Sequence, residues 1–241
     1  MSAEPELCPL GVDGILVRFS RVLTDEANAQ ALSFRDQFAA ADVDGITEVA
    51  SSLTSVRVGF DPAQTTRDEV SKAIRALVTE DIQPDTEPKR LWHIPACFSP
   101  EHAPQLAEAA DLAGVTVDQA IAEITGQRTR VIAIGFAPGQ PYLGMLPDHW
   151  DIPRQSALTD SLPRGALITA VRQLIIWAAD APTGWRHIGQ TGFRVYLPET
   201  STPFAFQPGD GVQSHAVSAS AFADIKADPA TNGGARCEVL R

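Results

Sequence analysis

Cysteine is scarce: there are three in 241 residues, Cys8, Cys97 and Cys237, an odd number set far apart. That excludes a disulfide framework and any CxxC metal pair. Positive charge is also short. Lysine and arginine number 19 against 30 aspartates and glutamates, a net charge of −11. A nucleic-acid or anionic-membrane partner needs clustered cations, so neither is expected. No run of about 18 apolar residues occurs, so no segment reads as a membrane span. The N-terminus lacks a basic stretch leading into an apolar one, so no signal peptide is expected and a cytoplasmic location is. Signatures of self-contained catalysis are missing too. There is no GxxxxGK[ST] phosphate loop, no GxGxxG between a strand and a helix, and no HExxH. There is no GxSxG nucleophile elbow. His93, His102, His149, His187 and His215 never stand at zinc-ligand spacing on one element, so no metal site is expected.

What is present is a chain that can build a core, with 44% hydrophobic residues. Residues 1–13 read as a flexible leader. From 14 to 83 the pattern is βαββα. Ile15, Val17 and Phe19 alternate as a strand. Thr24-Asp25 can cap a helix whose Ala27, Ala31, Phe34 and Phe38 share one face. Ile46–Val49 and Thr54–Phe60 read as two further strands. Thr66-x-x-Glu69 is a capping box before Val70, Ile74 and Leu77. One sheet covered by two helices on one side is a two-layer solution, and the order is that of a ferredoxin-like α+β domain. Residues 84–90, with Pro84 and Pro88, read as a linker. The second domain, 91–241, opens with a strand at Leu91–Ile94 and two helices. The first helix ends at Gly114, and the second starts at the capping box Thr116-x-x-Gln119. Beyond Arg128 the composition is β-like. Strands are expected at Arg130–Ile134, Ala166–Val171, Leu174–Ala178, Phe193–Leu197 and Gly211–Ser218, a small barrel or sandwich.

Chemistry concentrates in two stretches. Gly135-Phe-Ala-Pro-Gly-Gln-Pro-Tyr-Leu-Gly144 follows the apolar run Val131–Ile134. Gly139 can take φ > 0, and Pro138 and Pro141 fix φ and remove N–H donors. The result is a stiff loop at a strand end, with Phe136 and Tyr142 as its large side chains. It is either one wall of a site or a turn that closes a barrel. Thr183-Gly-Trp-Arg-His-Ile-Gly189 is the other stretch. Trp185 offers an apolar plate, and His187 is either a general base or a hydrogen-bonded structural group. Arg194 is either a solvated face charge or an anchor for a carboxylate, which its planar fork suits. Cys97 lies near His93, yet a buried structural thiol is the simpler reading.

Taken together these motifs resemble the KipI-like family, also called allophanate hydrolase subunit 1 or the B-type subunit of 5-oxoprolinase. A related subdomain occurs in the carboxyltransferase domain of urea carboxylase. The resemblance rests on Ile134–Gly144, similar to I-G-F-x-P-G-F-P-Y-L-G, on Pro182-x-Gly184-Trp185 and Ile188-Gly189-x-Thr191, and on Phe206-x-Pro208-Gly209-Asp210. It implies a cyclophilin-like β-barrel as the second domain. It also implies a partner, a second subunit like allophanate hydrolase subunit 2 or the C-type subunit of 5-oxoprolinase. Together the subunits would open a small amide or lactam such as 5-oxo-L-proline with ATP, held by the complex. Two alternatives follow from the same resemblance: a carboxyltransferase subunit that works with biotin, or an inhibitor of a sensor histidine kinase. On this reading His187 and Gln173 are the catalytic candidates. Phe136, Pro138, Gly139, Gln140, Tyr142, Arg172, Trp185 and Arg194 are the substrate-binding candidates. The sequence departs from the family at three places. Val171-Arg172-Gln173 stands where the family has a Gly-Gly-Gln turn, Gln190 replaces an arginine, and Gln140 replaces a phenylalanine.

Overall fold

The computed structural model describes residues 4–78, 84–228 and 230–240. The chain divides into two units, Met1–Glu87 and Pro88–Arg241. Both are α+β, and among the described residues no helix is long and apolar enough to cross a membrane.

The first unit contains β1 (Glu6–Leu10), β2 (Gly14–Arg18), α1 (Asp25–Ala40), β3 (Ile46–Ser52), β4 (Ser55–Phe60) and α2 (Arg67–Val78). Its four strands form one antiparallel sheet in the order β1-β2-β4-β3. Local chemistry sets the helix starts. The Thr24 hydroxyl accepts the Ala27 N–H at 3.1 Å. The Thr66 N–H and hydroxyl both donate to the Glu69 carboxylate at 2.8 Å, and the Glu69 N–H donates back to the Thr66 hydroxyl. Phe34 and Phe38 of α1, Val56 and Val58 of β4, and Val70 and Ile74 of α2 bury together against the sheet. The expected leader is corrected here: residues 6–10 are β1, paired from Glu6↔Arg18 to Leu10↔Gly14. Without β1 the outer edge of β2 would leave its backbone groups to solvent. Arg67 fixes the connecting turn by donating to the carbonyls of Gly11, Val12 and Gly14.

The second unit begins earlier than the expected linker allows, because Arg90 already belongs to β5 (Arg90–Cys97). It continues with α3 (Leu106–Ala113), α4 (Val117–Gly126), β6 (Thr129–Ile134), β7 (Pro141–Gly144), β8 (Thr159–Leu162), β9 (Ala166–Ala170), β10 (Gln173–Ile176), β11 (Ala181–Thr183), β12 (Arg186–Gln190), β13 (Gly211–Val217), α5 (Ala219–Ala227) and β14 (Arg236–Val239). The strand order is β12-β9-β10-β7-β6-β13-β5, and β12 also pairs with β5, so seven strands close into a barrel. Closure depends on one residue pair, Gln190↔Cys97. β14 adds to β5, and β8 and β11 form a separate ribbon. All five residues of β9 are buried. Ala166, Ile168 and Ala170 bury with Leu162 and Trp185, whereas Leu167 joins the main core with Leu143, Leu174 and Ile188. Burial on both faces explains why this strand reads as a continuous apolar run.

Two expectations change. Phe193–Leu197 is not a strand: its one ladder contact is the bridge Tyr196↔Phe204. Phe193 and Val195 do bury on one side, which produces the alternating pattern. The main chain at Arg194, however, pairs with a side chain: its N–H donates to Asn232 Oδ1 and its carbonyl accepts from Asn232 Nδ2. The second change is at Val171 and Arg172, which join β9 to β10 with φ of 45° and 63°. Two left-handed residues are what a tight hairpin turn requires. The geometry expected of two glycines is therefore kept without them.

Asp210 ties the start of β5 to the start of β13. It is buried and accepts from Arg90 through Nε at 2.8 Å and through Nη2, from Trp92 Nε1 at 3.3 Å and from the Gln207 N–H at 2.8 Å. Replacing it by alanine strands the guanidinium and two other donors. We expect Asp210→Ala to destabilise the second unit by about 3–5 kcal/mol. Trp92, Trp150, Trp177 and Trp185 all lie in that unit, so denaturation followed by tryptophan fluorescence reads it directly. A loss below about 1 kcal/mol would reduce the pair to an ordinary surface contact.

Candidate functional site

The site is built on an irregularity in β12. Its register against β9 runs Arg186↔Thr169, His187↔Ile168, then Gly189↔Leu167 and Gln190↔Ala166, so Ile188 is an extra residue. A regular strand would send His187 and Gln190, three apart, to opposite faces. The bulge restores them to one side. Both line a groove of about 740 Å³ with His102, Arg164, Arg194 and Lys226, while Ile188 is fully buried in the core.

Side chains complete the barrel seam beside His187. Beyond the Gln190↔Cys97 pair, β12 has no further strand partner on that edge among the described residues. Gln105 takes the place of one: its N–H donates to the His187 carbonyl at 3.0 Å, and its Oε1 accepts the His187 N–H at 2.9 Å. Gln105 Nε2 donates to Gln155 Oε1, and Gln155 Nε2 donates to the Trp185 carbonyl. The His187 ring is buried, and its Nε2 has no hydrogen-bond partner. Burial lowers the imidazole pKa and the nearby His102 pushes the same way, against hydrogen bonds with the Gly189 backbone and the Gln190 side chain. The ring is therefore neutral at pH 7 and available as an acceptor or base. The Gln190 amide is fixed by donating to the carbonyls of Arg164 and Thr191. On the same groove the Arg194 guanidinium forks onto Glu199, with distances of 2.6 and 3.3 Å.

The 135–140 segment is the hairpin between β6 and β7, closed by the Gly135 N–H on the Gln140 carbonyl. Phe136 has φ 73°, is 73% exposed and stacks on Trp177 at 5.3 Å. Pro138 is exposed. Gly139 has φ 73°, and a Cβ there would lie 2.7 Å from the Val195 carbonyl oxygen, so no other residue fits without a shift. The Gln140 side chain is buried rather than presented. Its Oε1 accepts the Ala178 N–H, and its Nε2 has no partner, as is true of Trp177 Nε1. Tyr142 sets its ring across Trp185, over which Arg154 also lies.

The candidates named from sequence therefore separate. His187 and Arg194 share the groove, joined by Gln190, which sequence marked only as a departure from the family. His102 and Arg164 lie on loops with no signal in the sequence. Gln173 lies elsewhere. It starts β10, whose Leu174 faces Leu143 and whose Ile175 faces Tyr142. That puts Gln173 level with Gly144, about 10 Å along β7 from Pro141 and the 135–140 hairpin. Arg172 stays at that far end, where Nε donates to the Leu146 carbonyl and Nη1 pairs with Asp148 at 2.8 Å. Among the described residues no group of three or more histidines, cysteines or carboxylates could hold a metal.

Residues 5–206 match the family model for the carboxyltransferase domain, subdomains C and D. The B-type subunit of 5-oxoprolinase from Bacillus subtilis (strain 168) is 25% identical over 227 residues, which span 88% of this chain and 93% of that one. Among solved structures, TTHA0988 superposes with a TM-score of 0.73 at 25% identity over 85% of this chain. The match spans 39% of that chain, so this protein corresponds to about two fifths of it. The K. lactis urea amidolyase superposes with a TM-score of 0.77 over 99% of this chain and 16% of its own, at 17% identity. That is a likeness of fold.

The buried imidazole sets a pH dependence. Its folded-state pKa lies below the ordinary value of about 6.5. The unfolded chain therefore takes the proton first, and stability falls as pH drops from about 6.5 through the lower folded-state value. Denaturation midpoints of the second unit, read by tryptophan fluorescence, should fall between pH 7.5 and pH 5.5. They should fall less in His187→Gln. Parallel slopes in the two proteins would mean that the ring is not held neutral by burial.

Proposed function

The chain belongs to the family of carboxyltransferase domains, subdomains C and D, and on that footing we propose that it is one subunit of an ATP-dependent amide or lactam hydrolase of 5-oxoprolinase type. The observation that carries this reading is the match to the B-type subunit of 5-oxoprolinase, which spans 88% of this chain and 93% of that one. A first unit of ferredoxin-like type and a second of cyclophilin-like type agree with the sheet order β1-β2-β4-β3 and the closed barrel. In the proposed enzyme, which is cytoplasmic, this chain contributes the groove: His187 as base, Gln190 beside it, and Arg194 for the substrate's charge. A second subunit, like allophanate hydrolase subunit 2 or the C-type subunit of 5-oxoprolinase, contributes the facing wall. The 135–140 hairpin, with Phe136 exposed, is the element offered to it. ATP is bound by the complex. Gln173 does not line the groove and is given no role in this proposal.

A second reading, favoured by the family model's own description, is a carboxyltransferase subunit dependent on biotin. One experiment separates the two. The chain is co-expressed with the products of neighbouring reading frames that encode the other subunits, and ATP consumption is measured with 5-oxo-L-proline. We expect a stable complex and substrate-dependent hydrolysis. His187→Ala should lower kcat about 100-fold or more while leaving the tryptophan fluorescence of the fold unchanged. Transfer that requires bicarbonate and a biotin carrier would select the second reading. A chain that forms no complex and supports no turnover rejects both.

A further inference from the structure

Arg194 carries two features that are hard to reconcile with a purely structural ion pair. Its main chain is clamped by Asn232 on both sides, at 2.8 and 2.9 Å. Its guanidinium, by contrast, is split in its use. Nη1 and Nη2 are taken by the two oxygens of Glu199, while Nε is buried with no hydrogen-bond partner. An unpaired buried N–H costs about 1–3 kcal/mol. A carboxylate that displaced Glu199 from the groove side could take Nη1 and Nη2 in the same two-point fork.

Glu199 is placed to give way. It sits at the tip of a short hairpin, residues 197–203, whose base is held by the Tyr196↔Phe204 bridge and by the Leu197 N–H on the Pro203 carbonyl. The tip folds on itself, with the Thr200 N–H and hydroxyl both on the Leu197 carbonyl. Residues 199–202 are all exposed. The ion pair is open to water, with side-chain exposures of 35% for Arg194 and 53% for Glu199, and such pairs contribute little. The local field nevertheless favours an anion. Hydrogen bonding to Arg194 holds the Glu199 carboxyl below its ordinary range, and the charge of Arg164 on the same groove adds to this. Of the three other acids on the groove, Asp180 accepts the Arg164 N–H, Asp228 accepts the Ala230 N–H, and Glu101 is exposed to solvent.

We propose that Arg194 is the anchor for the carboxylate of a small acidic substrate, and that Glu199, on a movable strap, is a built-in competitor for it. The inference rests on reading the groove as the substrate site, and it names the substrate class as a monocarboxylate. The strap makes binding conditional: a ligand must offer a carboxylate with better geometry than Glu199 before it displaces it.

The test is calorimetric titration of the full chain with 5-oxo-L-proline, with L-lactate as a second monocarboxylate, and with the uncharged amide of 5-oxoproline. Glu199→Gln should bind the acids about fivefold more tightly than the parent, the equivalent of about 1 kcal/mol, with no change for the amide. Arg194→Gln should abolish binding of both acids. Equal affinities in the parent and Glu199→Gln overturn the proposal, as does acid binding that survives Arg194→Gln or an absence of saturable binding by any acid. If L-lactate gains affinity in Glu199→Gln and 5-oxo-L-proline does not, the anchor and strap stand and the 5-oxoprolinase reading falls. Should Arg194→Gln fail to fold, the comparison of Glu199→Gln with the parent still decides.

Discussion

The barrel has to close, and it closes on one residue pair. β5 and β12 meet only at Cys97 and Gln190, and every backbone group of β12 beyond that pair needs a partner found elsewhere. Gln105 and Gln155 provide partners along the next residues. At the other end of the pair the chain turns into the Thr191–Val195 segment, whose main chain is met by Gly165, Asn232 and Ala205. A seam held by side chains and loops leaves space that a strand would have filled. The groove is that space, and it follows from the topology.

The bulge at Ile188 turns the seam into chemistry. With regular alternation, one of His187 and Gln190 would point away from the groove. With one extra residue, both line it, and the apolar Ile188 takes the core position between them. The imidazole is then buried deeply enough to stay neutral, while Arg194, in its ion pair with Glu199, stays about one-third exposed. In the proposed reading a neutral base and a cation on one wall are complementary, since one would handle a proton and the other a charge.

Sequence made much of the frame legible and little of the site. Helices with their own caps were readable because the signal is local: Thr66 with Glu69 and Thr116 with Gln119 form as the spacing requires. β1 was hidden because its residues alternate poorly, being mostly exposed or half-buried with a proline among them. Only the need of β2 for a neighbour explains it. Phe193–Leu197 misled for the opposite reason, since its alternation is real but its hydrogen-bond partner is Asn232. Gln173 and His187 were paired as candidates through the family resemblance, which carries no strand register. Strand register, which sequence does not carry, puts Gln173 two strands away from His187 and two residues further along, and it does not line the groove. The bulge left no trace in residue types, so neither did the meeting of His187 with Gln190.

The Val171–Arg172 turn shows how a local rule can be overruled. A β-branched residue at positive φ costs about 1–3 kcal/mol and persists only where the surroundings over-determine it. Here they do. The Val171 N–H donates to the Ile152 carbonyl, the Arg172 N–H donates to the Trp150 carbonyl, and the Arg172 carbonyl accepts from the Leu146 N–H. Three bonds to one neighbouring segment hold the turn that two glycines would have adopted freely. The side chains this admits are not idle either, since Arg172 goes on to bind Leu146 and Asp148. The departure from the family pattern at this turn is thus absorbed by structure at the end of the barrel remote from the groove. The departure at Gln190 lies inside the groove. An arginine there could only donate, whereas a glutamine amide can also accept. Of the altered positions, Gln190 is the one that lines the groove beside His187.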